Sequence, residues 1–261
     1  MIRPRSQRHL LVRGGRVVTQ DAKRRVLEAD VLITEGRITD VGPNISPPSP
    51  SRFLDARAML VIPGLIQPRA LLGRTLLRGV DHSGDAPHDD ETAFWSGRIG
   101  ALECLISGVT TVAGFEMAHG MEGMRRALAE TGIRFVSGRT QDGGTDWLSR
   151  PQSINPSAWL DAVTRGNASL VGLDAELGSL EPGKAGDLVV IPLQDPRVYS
   201  HPDAAWPERI LWSWNRGSIR WVVVDGEVLV DDSRLPHLEI ETWTQPAQDA
   251  ARTLLNRGKG I

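Results

Sequence analysis

The stretch from Val61 to Gly79, Val-Ile-Pro-Gly-Leu-Ile-Gln-Pro-Arg-Ala-Leu-Leu-Gly-Arg-Thr-Leu-Leu-Arg-Gly, constrains the fold more than any other. It reads as an apolar strand broken by Pro63-Gly64, a pair that punctuates regular structure. It then opens onto a polar segment that restarts as a helix. Before it the chain is β in character, and after it helix and strand alternate, so the stretch joins two kinds of structure.

Upstream, Leu10-Leu11-Val12 and Val17-Val18 flank Gly14-Gly15, a hairpin or bulge signal. Ala29–Thr34 is apolar, Glu35-Gly36 makes a turn, and Arg37–Val41 returns with Ile38 and Val41. Pro43 to Ser51 is too rich in breakers for any element. Phe53–Ala56 and Met59–Ile62 supply further short strands. The expectation is a small antiparallel sheet. Downstream, Trp95, Ile99, Leu102 and Ile106 recur at helical spacing and stop at Gly108. Val109–Phe115 is a strand. Met121, Met124, Arg125 and Leu128 mark a second helix ended by Gly132, and Ile133–Ser137 is another strand. That rhythm predicts a parallel sheet with covering helices. Asn155–Gly166 is helix-like, Asp187–Leu193 is a strand, and Ile219–Val230 is a hairpin turning at Asp225-Gly226.

Several of these motifs carry a resemblance. Pro-Gly-Leu-Ile-Gln-Pro at 63–68, Ser-Gly-Val-Thr-Thr-Val at 107–112, residues 127–138, residues 162–191 and Val-Asp-Gly-Glu-Val-Leu-Val at 224–230 together resemble the amidohydrolase superfamily. The branch is that of cytosine deaminase, guanine deaminase and triazine hydrolases. The resemblance covers residues 10–140 and 144–232. It implies an α/β plus β fold: a small β-sandwich formed by both chain ends (1–60 and 185–261) and an incomplete TIM-barrel-derived α/β part (61–184). A closed barrel of eight strands takes about 250 residues, roughly twice what this part supplies. Three convincing barrel strands and a remnant cannot close, so their edges and apolar helix faces call for cover.

The family implication for chemistry is a metal site of four histidines and one aspartate. The His-x-His pair at the end of its first barrel strand falls here on Arg69 and Leu71. Arginine stays protonated and has no acceptor, so it repels a cation instead of ligating one. The segments that carry two further histidines are absent. Gly144-Thr145-Asp146 resembles the strand-eight motif, which makes Asp146 the candidate catalytic survivor. Glu116 and His119, just past the second barrel strand, are fallback metal candidates with Asp146, for zinc or iron; otherwise no cofactor is expected. Arg69 is a candidate anion-binding residue.

Other readings narrow the field. The loop holding Asp81, His82, Asp85, His88, Asp89, Asp90 and Glu91 invites a metal, but its histidines are six apart, and a solvated loop capping the next helix fits better. The single cysteine, Cys104, lies in a helical apolar pattern, so it reads as a packing thiol. A net charge of −2 argues against nucleic-acid or membrane surfaces. No long apolar run or signal-like segment is evident, so the expectation is a cytoplasmic protein. Trp206, Trp212 and Trp214 read as an aromatic cover over the truncated part, or as a partner patch.

The leading functional expectation is an amidohydrolase-like protein without the metal site. It would serve as a non-catalytic accessory or structural subunit, pairing with itself or with a full-length homologue. The alternative is a metal-dependent hydrolase or deaminase acting on C–N bonds, not peptide bonds, of small heterocyclic substrates through a rebuilt site.

Overall fold

The computed structural model describes residues 8–80, 87–114, 119–136, 155–194, 218–232 and 234–258. Strand β1 (His9–Val18) pairs antiparallel with β2 (Val26–Thr34), and the register slips between Val12 and Gly15. Gly14 takes φ 71° there, so the double glycine is a bulge and the strand runs through it. Glu35 and Gly36, with φ of 51° and 82°, turn β2 into β3 (Arg37–Gly42). Two consecutive positive values are what a tight hairpin with the native twist needs.

Next come β4 (Arg52–Asp55) and β5 (Met59–Pro63), which both run parallel to β1 along its first and second halves. The antiparallel expectation is therefore corrected to a mixed sheet. The link from 43 to 51 is long enough to return the chain to the starting end of β1, which makes a parallel pairing accessible. Strands β9 (Leu188–Pro192), β10 (Trp221–Val224) and β11 (Glu227–Asp231) extend the same sheet antiparallel beyond β5. The order is β11-β10-β9-β5-β1-β2-β3, eight strands with β4 beside β1.

Hydrogen bonding thus joins both chain ends in one continuous sheet, where two facing sheets of a sandwich were expected. The sheet curls: Gly186 N–H donates to the Gly36 carbonyl at 2.7 Å, and Gly226 N–H to the Gly186 carbonyl at 3.0 Å. A Cβ on Gly186 would lie 2.6 Å from Ile33, so only glycine lets the β9 approach meet β2 this closely. Alternation by two sorts the side chains. Val61, Val190 and Val223 join Leu10, Val31 and Ile33 in the core inside the curl. Leu60, Ile62, Val189, Val222 and Val224 point the other way, into the core shared with the helices. Both faces are dry, which explains why these strands read as apolar runs.

Past Gly64 the chain leaves this sheet for a second one. Strands β6 (Leu65–Gln67), β7 (Val109–Ala113) and β8 (Arg134–Val136) are parallel, in that order. Helices α1 (Asp90–Ile106) and α2 (Met121–Thr131) connect them. The helical restart after β6 is a 3₁₀ turn at Leu72–Leu77. The face of α1 differs from the expected apolar stripe. Trp95, Ile99, Leu102 and Ile106 are half-buried flanks, while Ala93, Ser96, Gly97, Gly100 and Ala101 are buried. A Cβ on Gly123 of α2 would lie 1.8 Å from the Asp90 carbonyl. Small residues bring α1 and α2 together, and hydropathy patterns score small residues weakly.

The helix-like stretch after Asn155 is α3 (Pro156–Asp161), a π-turn at Ala162–Gly166 and α4 (Asn167–Leu170). The Asn155 side chain accepts from the Ser157 and Ala158 amides, and Pro156 occupies the first turn, where a missing N–H costs nothing. The sequence pattern suggests no element after residue 235. There α5 (Thr244–Gly258) buries Ala247, Ala250 and Leu254 and packs against α1.

Candidate functional site

The C-terminal ends of β6, β7 and β8 share one rim, facing away from the large sheet that β6 leaves through Gly64. In parallel α/β folds, that rim carries chemistry. The rim backbone is tied: Ala70 N–H donates to the Ala113 carbonyl at 3.0 Å, and Gln67 Nε2 to the Arg69 carbonyl at 3.2 Å. Behind it, the buried Asn167 Nδ2 donates to the Ile66 carbonyl at 2.9 Å, which docks α4 on the first barrel strand.

On that rim Arg69 is exposed and Leu71 is 70% exposed. His119 lies at the surface ahead of α2. Glu116 and Asp146, the other two fallback metal candidates, lie outside the described residues. Trp206, Trp212 and Trp214, and Asp81, His82 and Asp85, also lie outside them. Among the described residues, no group of three or more His, Cys, Asp or Glu side chains could hold a metal ion. A guanidinium about 4 Å from a divalent cation would repel it by roughly 8 kcal/mol at an effective dielectric of about 20. Arg69 itself cannot ligate zinc or iron.

The acidic loop departs from the solvated expectation at His88, which is buried. Its Nε2–H donates to the Gly73 carbonyl at 2.6 Å, and Nδ1 lies 3.2 Å from Thr92 Oγ1. Burial pushes its pKa below the ordinary histidine value, although the Gly73 bond and Asp89 oppose this. Asp89 does cap α1, as the sequence suggests, through a reciprocal capping box with Thr92. Arg257 of α5 reaches the same carboxylate at 2.6 Å and, chiefly by that bond, holds its pKa well below the usual carboxylate range.

An ion cluster that the sequence reading missed fastens the two sheets together. From β8, Arg134 donates to Asp187 through Nε at 3.2 Å and Nη2 at 2.9 Å, and also reaches Asp225 in the β10–β11 turn. The Asp225 amide donates to Asp187 as well, at 2.9 Å. Burial raises the Asp187 pKa more than Arg134 lowers it. Burial acts to lower the pKa of Arg134, but the two carboxylates together raise it above the ordinary value. The only signal in the sequence was an aspartate just ahead of an apolar strand. Far from the rim, a surface groove of about 740 Å³ opens between Asp55, Arg57, Arg220, Trp221 and Asp232. Its cations are already matched, Arg57 by Asp55 and Arg220 by Asp232.

Comparison with known proteins bears on this scaffold. Residues 124–230 match a model described as amidohydrolase family. A 5-methylthioadenosine/S-adenosylhomocysteine deaminase of Symbiobacterium thermophilum is 29% identical over 146 residues, which is 50% of this chain and 33% of that protein. Among solved structures, a triazine hydrolase from Arthrobacter aurescens superposes with TM-score 0.76 at 16% identity, covering 94% of this chain and 100% of that one. An adenosine deaminase from Xanthomonas campestris with bound zinc gives TM-score 0.69 at 14% identity, over 99% and 100%. Residues 124–230 thus resemble the amidohydrolase family in sequence, and the fold is shared with these solved structures over 94–99% of the chain. In sequence, the matched part spans about a third of its curated deaminase relative. Among the described residues, no helix is long and apolar enough to cross a membrane.

Proposed function

We propose that this chain is part of a hydrolase or deaminase that cleaves C–N bonds, other than peptide bonds, in small heterocyclic compounds. It contributes the curled sheet and the first three barrel strands. The observation that carries this reading is the deaminase likeness over half of the chain. Arg69 cannot ligate a metal, so in this reading the metal donors come from a full-length homologue whose strands cover the rim.

The test is to purify the chain alone and after co-expression with a full-length deaminase relative. Particle mass, zinc content and release of ammonia from an adenine nucleoside would be measured for each. The expected result is a stable mixed particle that turns over substrate, with turnover dependent on this chain. Separate elution of the two chains, with the relative's activity unchanged, would overturn the reading. Near-stoichiometric zinc and turnover in the chain alone would instead point to a rebuilt site using Glu116, His119 and Asp146.

One observation favours a second reading, a non-catalytic accessory or structural subunit that pairs with itself or with the homologue. By the resemblance to the family, the positions of its metal-binding pair fall on Arg69 and Leu71. In that case the mixed particle, or a homo-oligomer, forms while turnover per full-length chain stays constant.

A further inference from the structure

Most described arginines of this chain hold a carboxylate, among them Arg57, Arg78, Arg134 and Arg220. Arg69 is exposed, and among the described residues its guanidinium has no ion pair or hydrogen-bond acceptor. Two residues on, Leu71 at 70% is more exposed than Phe53, Val80 or Val26, the other exposed large apolar side chains among the described residues. The two residues are two positions apart on the same rim segment. The backbone that carries them is held by the Ala70–Ala113 and Gln67–Arg69 bonds, with Pro68 and Ala70 buried. A fixed backbone presenting a free planar cation beside an uncovered apolar side chain matches a small amphipathic anion.

We infer that the rim at the end of β6 is an anion-binding edge. Arg69 receives the oxygen pair of a carboxylate or phosphate, and Leu71 contacts the apolar part of the same ligand. The position that would hold a cation in relatives thus carries a covalently attached positive charge with the opposite ligand preference. The inference rests on the described rim and on no turnover, so it stands or falls separately from the hydrolase reading.

Titration of the full chain with benzoate and with inorganic phosphate, monitored by calorimetry and by NMR shifts of the 65–72 amides, tests it. Expected is saturable one-to-one binding of at least one probe that perturbs these amides. Arg69→Ala should weaken it about tenfold, the scale of a lost charge-assisted pair, and Arg69→Lys should fall between. Leu71→Ser should weaken benzoate and leave phosphate unchanged. Preference between the probes tells a carboxylate ligand from a phosphate one. Because Arg69 is exposed, overlaid thermal melts will show that the variants fold, and Arg69→Lys serves if the alanine variant does not. Binding by Arg69→Ala equal to wild type, no saturable binding of either probe, or shifts confined elsewhere would overturn the inference.

Discussion

Replacing Arg134 by Met tests how the two sheets are joined. The Asp187 side chain is 4% exposed and Arg134 21%, so the pair is mostly withdrawn from water. Methionine keeps much of the volume and removes both guanidinium bonds, which leaves a buried carboxylate with the Asp225 amide as its remaining named donor. Removing one partner of a buried ion pair costs about 3–5 kcal/mol. The surviving amide bond and the partial exposure of Arg134 place the cost near the low end, about 3 kcal/mol.

Arg134→Lys keeps the charge without the two-pronged geometry and should cost about 1 kcal/mol. The cost also depends on pH. With Arg134 gone, burial and the nearby Asp225 carboxylate are opposed only by the Asp225 amide bond, so the folded pKa of Asp187 rises further above the unfolded value of about 3.9. The folded state then binds the proton more readily than the unfolded one. The deficit of Arg134→Met is therefore largest above that raised value and shrinks as pH falls towards the unfolded one. Urea unfolding followed by tryptophan fluorescence, at several pH values, measures both effects. A change below about 0.5 kcal/mol at neutral pH, the level of an ordinary surface substitution, would refute the argument that this cluster joins the sheets.

The helical half supplies further predictions. Gly123→Ala drives a Cβ against the Asp90 carbonyl and should cost about 2–3 kcal/mol through overpacking, read as a lower thermal midpoint. Asp89→Ala removes the cap of α1 and should cost about 1 kcal/mol in chemical denaturation. His88 has a folded pKa below its unfolded value of about 6.5, so its contribution is complete above that value and is lost as pH falls through the folded one. The wild-type melting temperature should therefore rise with pH up to about 6.5, with a shallower slope in His88→Gln.

Much of the scaffold was legible in the residues. The strands around Glu35-Gly36 and Asp225-Gly226, the helix stop at Gly132 and the cap at Asp89 announce themselves through local backbone chemistry, which a sequence displays directly. What stayed hidden depends on distant partners. Parallel pairing of β4 and β5 with β1 is set by where a breaker-rich link returns the chain. The small-residue face of α1 is meaningful only once Gly123 lies against it. Arg134, Asp187 and Asp225 are spread over 91 positions and meet only after both sheets form. At the rim, the residue types of Arg69 and Leu71 were visible in the sequence, and their exposure was not. His88 was misjudged because composition marked its loop as wet, whereas the 3₁₀ turn at Leu72–Leu77 closes over the imidazole.

Helix α5 limits how any assembly could be arranged. The outer flank of α1 would otherwise be open to a neighbour. Here the chain's own tail occupies that flank, secured at one end by Arg257 on Asp89 and at the other by Trp243, whose ring lies 4.2 Å from the Arg98 guanidinium. A companion chain that docked on this flank would have to evict about four turns of helix first. Tags or fusions placed after residue 258 are carried by a segment that is part of the packing, so moving them to the opposite terminus is the safer choice for any measurement of association.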